Sequence, residues 1–131
     1  MNDIVAQVED WLAHMPQGDF EGYCGPVADD FVLRLPFMPP GLPNEFAGRE
    51  VAQAALQSSA KDRAPLVFSN KVILRTEDPD LVVATAQAET TMANGKPYRN
   101  SYVIFVRFRD GVIVEHTEYL NPLAVMEAAG D

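Results

Sequence analysis

A histidine and a glutamate stand two residues apart near the end of the chain, as His116 and Glu118. They belong to an alternating segment, residues 112–120, which is typical of a β-strand because successive strand side chains point to opposite faces. Burial among apolar neighbours raises the pKa of a carboxylic acid, and such an acid suits proton transfer near neutral pH. The segment therefore predicts an acid/base centre in which Glu118 moves a proton and His116 assists. If this face reached solvent instead, both would be ordinary surface residues.

The preceding predicted strand, residues 98–109, offers groups that could orient a substrate. Alternation places Tyr98, Asn100 and Tyr102 on one face, where their hydroxyl and amide groups can hydrogen-bond a carbonyl or a carboxylate. The strand before it, residues 81–92, separates a polar face from an alanine-rich one. The polar residues of that strand, Gln87 and Glu89 among them, either face solvent or line the same cavity, and both interpretations stay open.

Three helices are predicted ahead of these strands. Apolar residues at helical spacing define the first helix, which either Asn2 or Asp3 caps and which ends at Met15-Pro16. A second, shorter helix is predicted over residues 20–27 with Asp19 as its cap, although two glycines and a proline disfavour it. The third helix spans residues 48–62. The proline-rich residues 36–43 predict a rigid apolar loop at the lip of a pocket.

From residue 66 onward the apolar pattern changes to a period of two, which predicts four long strands. The Asn-Gly and Asp-Gly pairs between them favour hairpins and thus a largely antiparallel sheet. The predicted segments are a short strand at 31–35, long strands at 66–75, 81–92, 98–109 and 112–120, and a last helix at 123–128. These elements predict an α+β fold, with three N-terminal helices packed on a curved sheet, as one domain over residues 1–131.

Composition narrows the classes of function. The 131 residues include ten basic and nineteen acidic side chains, a net charge of −9, which repels nucleic acids and anionic membrane surfaces. The single cysteine, Cys24, excludes an internal disulfide, and the two histidines are not at metal-ligand spacing. Without a glycine-rich phosphate loop, we expect no metal and no cofactor. Without a long apolar run or a signal peptide, the expected location is the cytoplasm.

Two motifs resemble a known family: GREVAQAA at the start of the third helix, and FVRFRDGVIVEHTEYLNP near the end of the chain. With the elements in this order, nearly the whole chain resembles the SnoaL-like branch of the nuclear transport factor 2 fold. That fold also includes steroid isomerases, limonene-epoxide hydrolases and phenazine-biosynthesis A/B proteins. The resemblance implies a cone in which the sheet curls round a deep pocket, often in a dimer. It places on the inner face Thr85, Gln87, Glu89, Tyr98, Asn100, Tyr102, His116 and Glu118.

The resemblance also separates reactions. The acids and the tyrosine of steroid isomerases match Leu35, Ile104 and Trp11, and the arginine of the epoxide-hydrolase relay has no counterpart, so neither known mechanism is implied. Phenazine-biosynthesis A/B proteins are similar in the pattern of acid, aromatic, apolar residue and asparagine at residues 118–121. Their use of that glutamate implies acid/base chemistry for Glu118, with His116 replacing a histidine that they contribute from elsewhere.

We therefore expect a small cofactor-independent enzyme that acts on a hydrophobic, carbonyl-bearing metabolite by isomerisation, cyclisation or imine formation. The alternative is a non-catalytic small-molecule-binding or dimerisation module of the same fold. Apolar residues on the outer sheet face, Val103, Phe105 and Tyr119, predict a homodimer unless the last helix covers them. The expected apolar wall of the pocket consists of Trp11, Leu33, Leu35, Phe37 and Met38.

Overall fold

The structure is a computed structural model that describes residues 3–130. Its first helix, α1, spans Ile4–His14 and begins where the Asp3 carboxylate accepts hydrogen bonds from the backbone N–H groups of Val5 and Ala6, at 3.0 and 3.4 Å. Asp3 is therefore the cap, and Asn2 lies outside the described residues. The helix runs into a single 3₁₀ turn, Met15–Gln17, which ends at Gly18 with a left-handed φ of 69°.

The predicted second helix is wrong. Residues 19–26 form turns, and Asp19 only closes one of them by accepting a hydrogen bond from the backbone of Gly22 at 3.0 Å. Glycine disfavours a helix, and Pro26 has no N–H to donate. Val27 instead opens the first strand, β1, which spans Val27–Arg34 and is longer than expected. Two α-helices and the 3₁₀ turn, rather than three helices, thus precede the long strands.

The remaining elements include one short strand that the sequence did not reveal. After the proline-rich loop, β2 spans Glu45–Ala47 and pairs antiparallel with β1. Helix α2 spans Arg49–Ala60, and helix α3 spans Pro122–Ala129, where the Asn121 side chain accepts from the backbone N–H of Leu123 at 3.0 Å. None of the helices within residues 3–130 is long and apolar enough to cross a membrane.

Four long strands pair antiparallel in sequence order, as predicted. They are β3 (Val67–Arg75), β4 (Leu81–Thr91), β5 (Pro97–Arg109) and β6 (Val112–Tyr119). Asp110 and Gly111 both have positive φ, 53° and 78°, as the tight hairpin between β5 and β6 requires. The sheet order is β2-β1-β6-β5-β4-β3, and β1 runs parallel to β6. The six-stranded sheet is therefore mixed.

A β-bulge in β6 changes the predicted alternation. Arg107 pairs with Glu115 while its neighbour Phe108 pairs with Ile113, so Val114 is an extra residue. Ile113 and Val114 are consequently both buried, although strict alternation had placed Ile113 on the outer face. After the bulge the alternation resumes, and His116 and Glu118 point inward as predicted.

The two faces of β4 differ in burial. Its alanines are buried, at residues 84, 86 and 88, whereas Thr85, Gln87 and Glu89 are exposed. Helix α1 packs across β3 and β4, and small alanine side chains allow this close approach. The expected inward placement of Thr85, Gln87 and Glu89 is therefore wrong, because the core occupies the alanine face.

The outer face of the sheet carries a row of apolar side chains. In cross-strand register, Val72 pairs with Thr85, Thr85 with Val103, and Val103 with Tyr119. Val72 is 50% exposed and Val103 39%. Helix α3 does not cover this row, since its Val125 and Ala128 line a cavity together with residues of the inner face.

Candidate active site

Glu118 lies on the inner face of β6, between β1 and β5 in the sheet. Its side chain is 11% exposed and forms part of a cavity wall. One carboxylate oxygen, Oε1, is 2.9 Å from Nε2 of His116, which is completely buried. The strand thus brings the two residues together, with Glu118 at the cavity and His116 behind it.

The tautomer of His116 follows from its second neighbour. The indole N–H of Trp11 donates to Nδ1 of His116 at 3.0 Å, and both side chains are fully buried. An indole nitrogen can only donate, so Nδ1 must carry a lone pair and the proton must reside on Nε2. His116 is therefore neutral in this arrangement and donates to Glu118. A second proton on His116 would break the bond from Trp11, so His116 holds the carboxylate rather than sharing a proton with it.

The two oxygens of Glu118 consequently differ. Oε1 is held by the imidazole, whereas Oε2 has no hydrogen-bond or ionic partner among residues 3–130. Because Glu118 lines the cavity, a carboxylate oxygen is left to accept a proton or a hydrogen bond from a molecule bound there. The arrangement can serve a general base, whose proton acceptor must be positioned and unoccupied.

A pair of tyrosines on β5 lines the same cavity. The hydroxyl oxygens of Tyr98 and Tyr102 are 2.5 Å apart, and the side-chain amide of Asn100 donates to the Tyr98 hydroxyl at 2.9 Å. One hydroxyl proton is shared between the tyrosines, which leaves one O–H without an acceptor among the described residues. Burial raises the pKa of both phenols, so they stay protonated. The pair therefore offers one hydrogen-bond donor to a ligand.

Asn100 has a different role from the one expected. Its Nδ2 also donates to the carbonyl of Asn121 at 3.0 Å, and its Oδ1 accepts from the backbone N–H groups of Ser101 and Asn121, both at 2.9 Å. The amide is fully occupied and is not part of the cavity wall. Asn100 thus positions Tyr98 and the start of α3 rather than facing a substrate.

The cavity has a volume of about 210 Å³ and is mostly apolar. Leu35 and Met38 line it, as the proline-rich loop predicted, together with residues from the 3₁₀ turn, α2, β3 and α3. Its polar wall is small. It consists of Ser59, Arg63, Tyr98, Tyr102 and Glu118.

Other predicted residues lie elsewhere. Trp11 and Leu33 are buried in the core beside His116 and do not line the cavity. Phe37 is 54% exposed, and its ring lies edge-on to Tyr119 at 5.1 Å on the outer side of the sheet. Gln87 and Glu89 lie on the outer face of β4 and do not line the cavity. Phe37 does not line the cavity because the chain turns at residues 36–37 and its ring packs against Tyr119 instead.

Sequence reasoning missed Arg63, which lies between α2 and β3. Its guanidinium donates to the hydroxyl of Ser59 at 2.7 Å and to the carbonyl of Pro16 at 2.6 Å. Burial lowers the pKa of Arg63. No periodic pattern includes this residue, because it follows the helix end and reaches the cavity through the length of its side chain. Its only signal was a basic residue between two apolar segments.

Comparison with known proteins identifies the family of the chain. The family model of the SnoaL-like domain matches residues 8–116. The chain belongs to the SnoaL-like domain family. A PhzA/B-like protein of Pseudomonas aeruginosa is 31% identical to this SnoaL-like chain over 121 residues, which cover 91% of the chain and 84% of that protein.

Solved structures support the same fold. A candidate isomerase of Bacillus subtilis superposes with a TM-score of 0.83 at 28% identity, covering 98% of this chain and 95% of that one. An NTF2-like protein of Burkholderia pseudomallei also reaches 0.83, at 16% identity and with complete coverage of both chains. The SnoaL-like chain therefore has the α+β cone fold of the nuclear transport factor 2 type, which the sequence resemblance implied.

Proposed function

We propose that this SnoaL-like protein is a small cofactor-independent enzyme that catalyses proton transfer on a hydrophobic, carbonyl-bearing metabolite. One observation carries the proposal: Glu118 lines the cavity with one oxygen fixed by His116 at 2.9 Å and with Oε2 unpartnered among residues 3–130. A fixed, accessible carboxylate in an apolar cavity is a suitable general base. Family membership agrees with an enzyme or a binding protein and does not itself select a reaction.

In the proposed step, Oε2 of Glu118 removes a proton from the carbon next to a carbonyl group. The electrons of that C–H bond move toward the carbonyl oxygen, which becomes an enolate. The spare O–H of the Tyr98–Tyr102 pair donates to this oxygen, where negative charge develops. In a β,γ-unsaturated carbonyl compound the enolate is conjugated with the double bond, and return of the proton from Glu118 to the γ carbon completes an isomerisation. Attack of the enolate carbon on a second carbonyl within the same molecule would form a C–C bond and an alkoxide, and the alkoxide would take the proton back from Glu118 to complete a cyclisation instead.

His116 and Trp11 support this step without exchanging protons. Since the indole keeps His116 in the Nε2–H form, the imidazole hydrogen-bonds the ionised carboxylate and holds its orientation. The base is thereby aligned before the substrate arrives, which is the arrangement that catalysis by positioned groups requires.

A substrate-independent probe tests the proposed base. The small aromatic 5-nitrobenzisoxazole loses its C3 proton to a base, its N–O bond breaks, and a coloured cyanophenolate forms. We expect the wild-type protein to accelerate this reaction above the buffer rate. Glu118→Gln should reduce the acceleration by about 10² to 10⁴, the contribution typical of one general base. A Glu118→Gln protein within tenfold of the wild type would refute the role of Glu118.

The matched control is Glu89→Gln, which makes the same chemical change on the outer face of β4, where the side chain is 67% exposed. This variant should retain wild-type activity. A wild-type protein that binds the probe but opens its ring no faster than buffer would favour the alternative, a binding module without turnover. Native mass spectrometry against a metabolite extract then distinguishes a ligand that the wild type consumes from one that both proteins retain.

We further propose that the protein forms a homodimer through the outer face of its sheet. The exposed row that includes Val72 and Val103 continues to Tyr119, beside which Phe37 and Phe105 pack. Contiguous apolar surface of this kind on a protein indicates an interaction site. A second copy offers the same surface, so the two faces can cover each other symmetrically.

A further inference from the structure

We propose that the substrate of this site carries a carboxylate group, which binds to the guanidinium of Arg63 while the reacting carbonyl lies between Glu118 and the tyrosine pair. The inference rests on the proposed function for the reacting end of the molecule. Its own evidence is separate, because it concerns a cation in the cavity wall that takes no part in the proposed proton transfer.

Arg63 has unused hydrogen-bonding capacity. A guanidinium has five N–H groups, and the described residues accept from two of them, at Ser59 Oγ and the Pro16 carbonyl. The Nε–H is shielded from solvent and has no partner within residues 3–130. Both acceptors are neutral, so they orient the guanidinium without neutralising its charge.

Most other arginines of the chain have carboxylate partners. Most of those at the surface lie within 3.3 Å of a carboxylate oxygen, as the ion pairs of the described residues show. These paired residues are Arg34, Arg75, Arg99, Arg107 and Arg109. Arg63 is partly buried, with its Nε shielded from solvent and its pKa lowered by burial, yet it has no carboxylate within 4.0 Å among residues 3–130. A shielded cation is usually paired, and a bound anion would supply the missing partner.

The cavity indicates which anion fits. Glu118 and Arg63 are the charged groups of its wall, and the remainder is mostly apolar. Glu118 would repel an anion, and the net charge of −9 would repel it during approach. A single planar carboxylate matches the planar fork of a guanidinium and needs one cation. A phosphate carries more charge than this wall can balance and is the less suitable ligand.

Two compounds of equal shape provide the test. 4-Acetylbenzoate and 4-acetylbenzamide share the ring and the ketone and differ in the charge of the second substituent. Titration calorimetry of the wild-type protein at pH 7 should show at least tenfold tighter binding of the acid. Equal affinities, or an absence of binding by both compounds, would overturn the proposal without any variant.

Variants assign the preference to Arg63. Arg63→Met, which keeps the length of the stem but removes the charge, should weaken binding of the acid at least tenfold and change that of the amide less than threefold. Arg63→Lys keeps the charge and should retain a preference for the acid. A preference for the acid that survives in Arg63→Met would contradict the assignment.

Glu118→Gln separates this inference from the proposed function. The substitution removes a negative charge from the cavity, so binding of the acid should be equal to or tighter than in the wild type, whether or not Glu118 is a catalytic base. If Glu118→Gln retained wild-type activity in the ring-opening assay, the proposed base would be refuted, but the preference for the acid would still be expected. Loss of the acid preference in Glu118→Gln would contradict the role of Arg63.

Discussion

Trp11 and His116, 105 positions apart in the chain, are joined by a buried 3.0 Å hydrogen bond that fixes the state of the histidine. The bond connects the first helix with β6, one of the two central strands of the sheet. Because the indole can only donate, it leaves His116 with a single N–H, and that N–H is directed at Glu118. The carboxylate is therefore oriented by a residue that never contacts the cavity.

Replacing Trp11 should allow His116 to adopt both of its neutral tautomers. In Trp11→Phe the donor to Nδ1 is lost, so the imidazole can carry its proton on either nitrogen. Nitrogen-15 NMR of the two imidazole rings should show the Nε2–H form of His116 in the wild type and a mixture in the variant. His14 is an internal control of opposite type, since its Nδ1 is 2.8 Å from the carbonyl of Asp10 and must donate to it. An unchanged His116 spectrum in Trp11→Phe would contradict the assignment.

Glutamine and alanine at position 118 should differ in stability. Glu118→Gln keeps an oxygen that can accept from Nε2 of His116, whereas Glu118→Ala leaves that buried N–H without a partner. An unsatisfied buried donor costs about 1–3 kcal/mol, so the alanine variant should unfold at lower urea concentration than the glutamine variant by an amount corresponding to that free energy. Equal urea midpoints would show that the His116 N–H finds another acceptor.

Alkaline pH should destabilise the protein through its buried tyrosines. In the unfolded chain a phenol loses its proton near pH 10, while burial raises the pKa of Tyr102 in the folded protein. Above about pH 10 the folded state therefore holds a proton that the unfolded chain has lost, and the free energy of unfolding falls as pH rises. Tyr102→Phe should lose less stability than the wild type between pH 9 and 11, as measured by urea denaturation. The same loss in both proteins would contradict this account.

A charge on the outer sheet face should separate the proposed dimer. Val103 lies in the middle of the exposed apolar row, so Val103→Lys would place two like charges in a symmetric interface. Light scattering should give twice the 14.4 kDa chain mass for the wild type and the chain mass itself for the variant. Val51→Lys, at a position on α2 that is 54% exposed, is the matched control and should remain dimeric. A monomeric wild type would refute the dimer.

The site residues could be predicted from the sequence where strand alternation was regular. On β5 every second residue from Tyr98 to Tyr102 faces inward, and β6 brings His116 and Glu118 to the same side despite its bulge. Alternation did not reveal which face of β4 was the inner one, although its small alanines were compatible with a packed helix. The contact of Trp11 with His116 and the reach of Arg63 depend on tertiary packing between distant segments, which local periodicity does not encode.

The bond between the indole and His116 has one more consequence, because Trp11 is the single tryptophan in the sequence. All the intrinsic indole fluorescence of this protein comes from a ring that donates to the histidine beside Glu118. A ligand that shifts the carboxylate alters the environment of that ring through two hydrogen bonds. Ligand binding can thus be followed in the unlabelled protein by its tryptophan emission, and a compound library can be screened in this way.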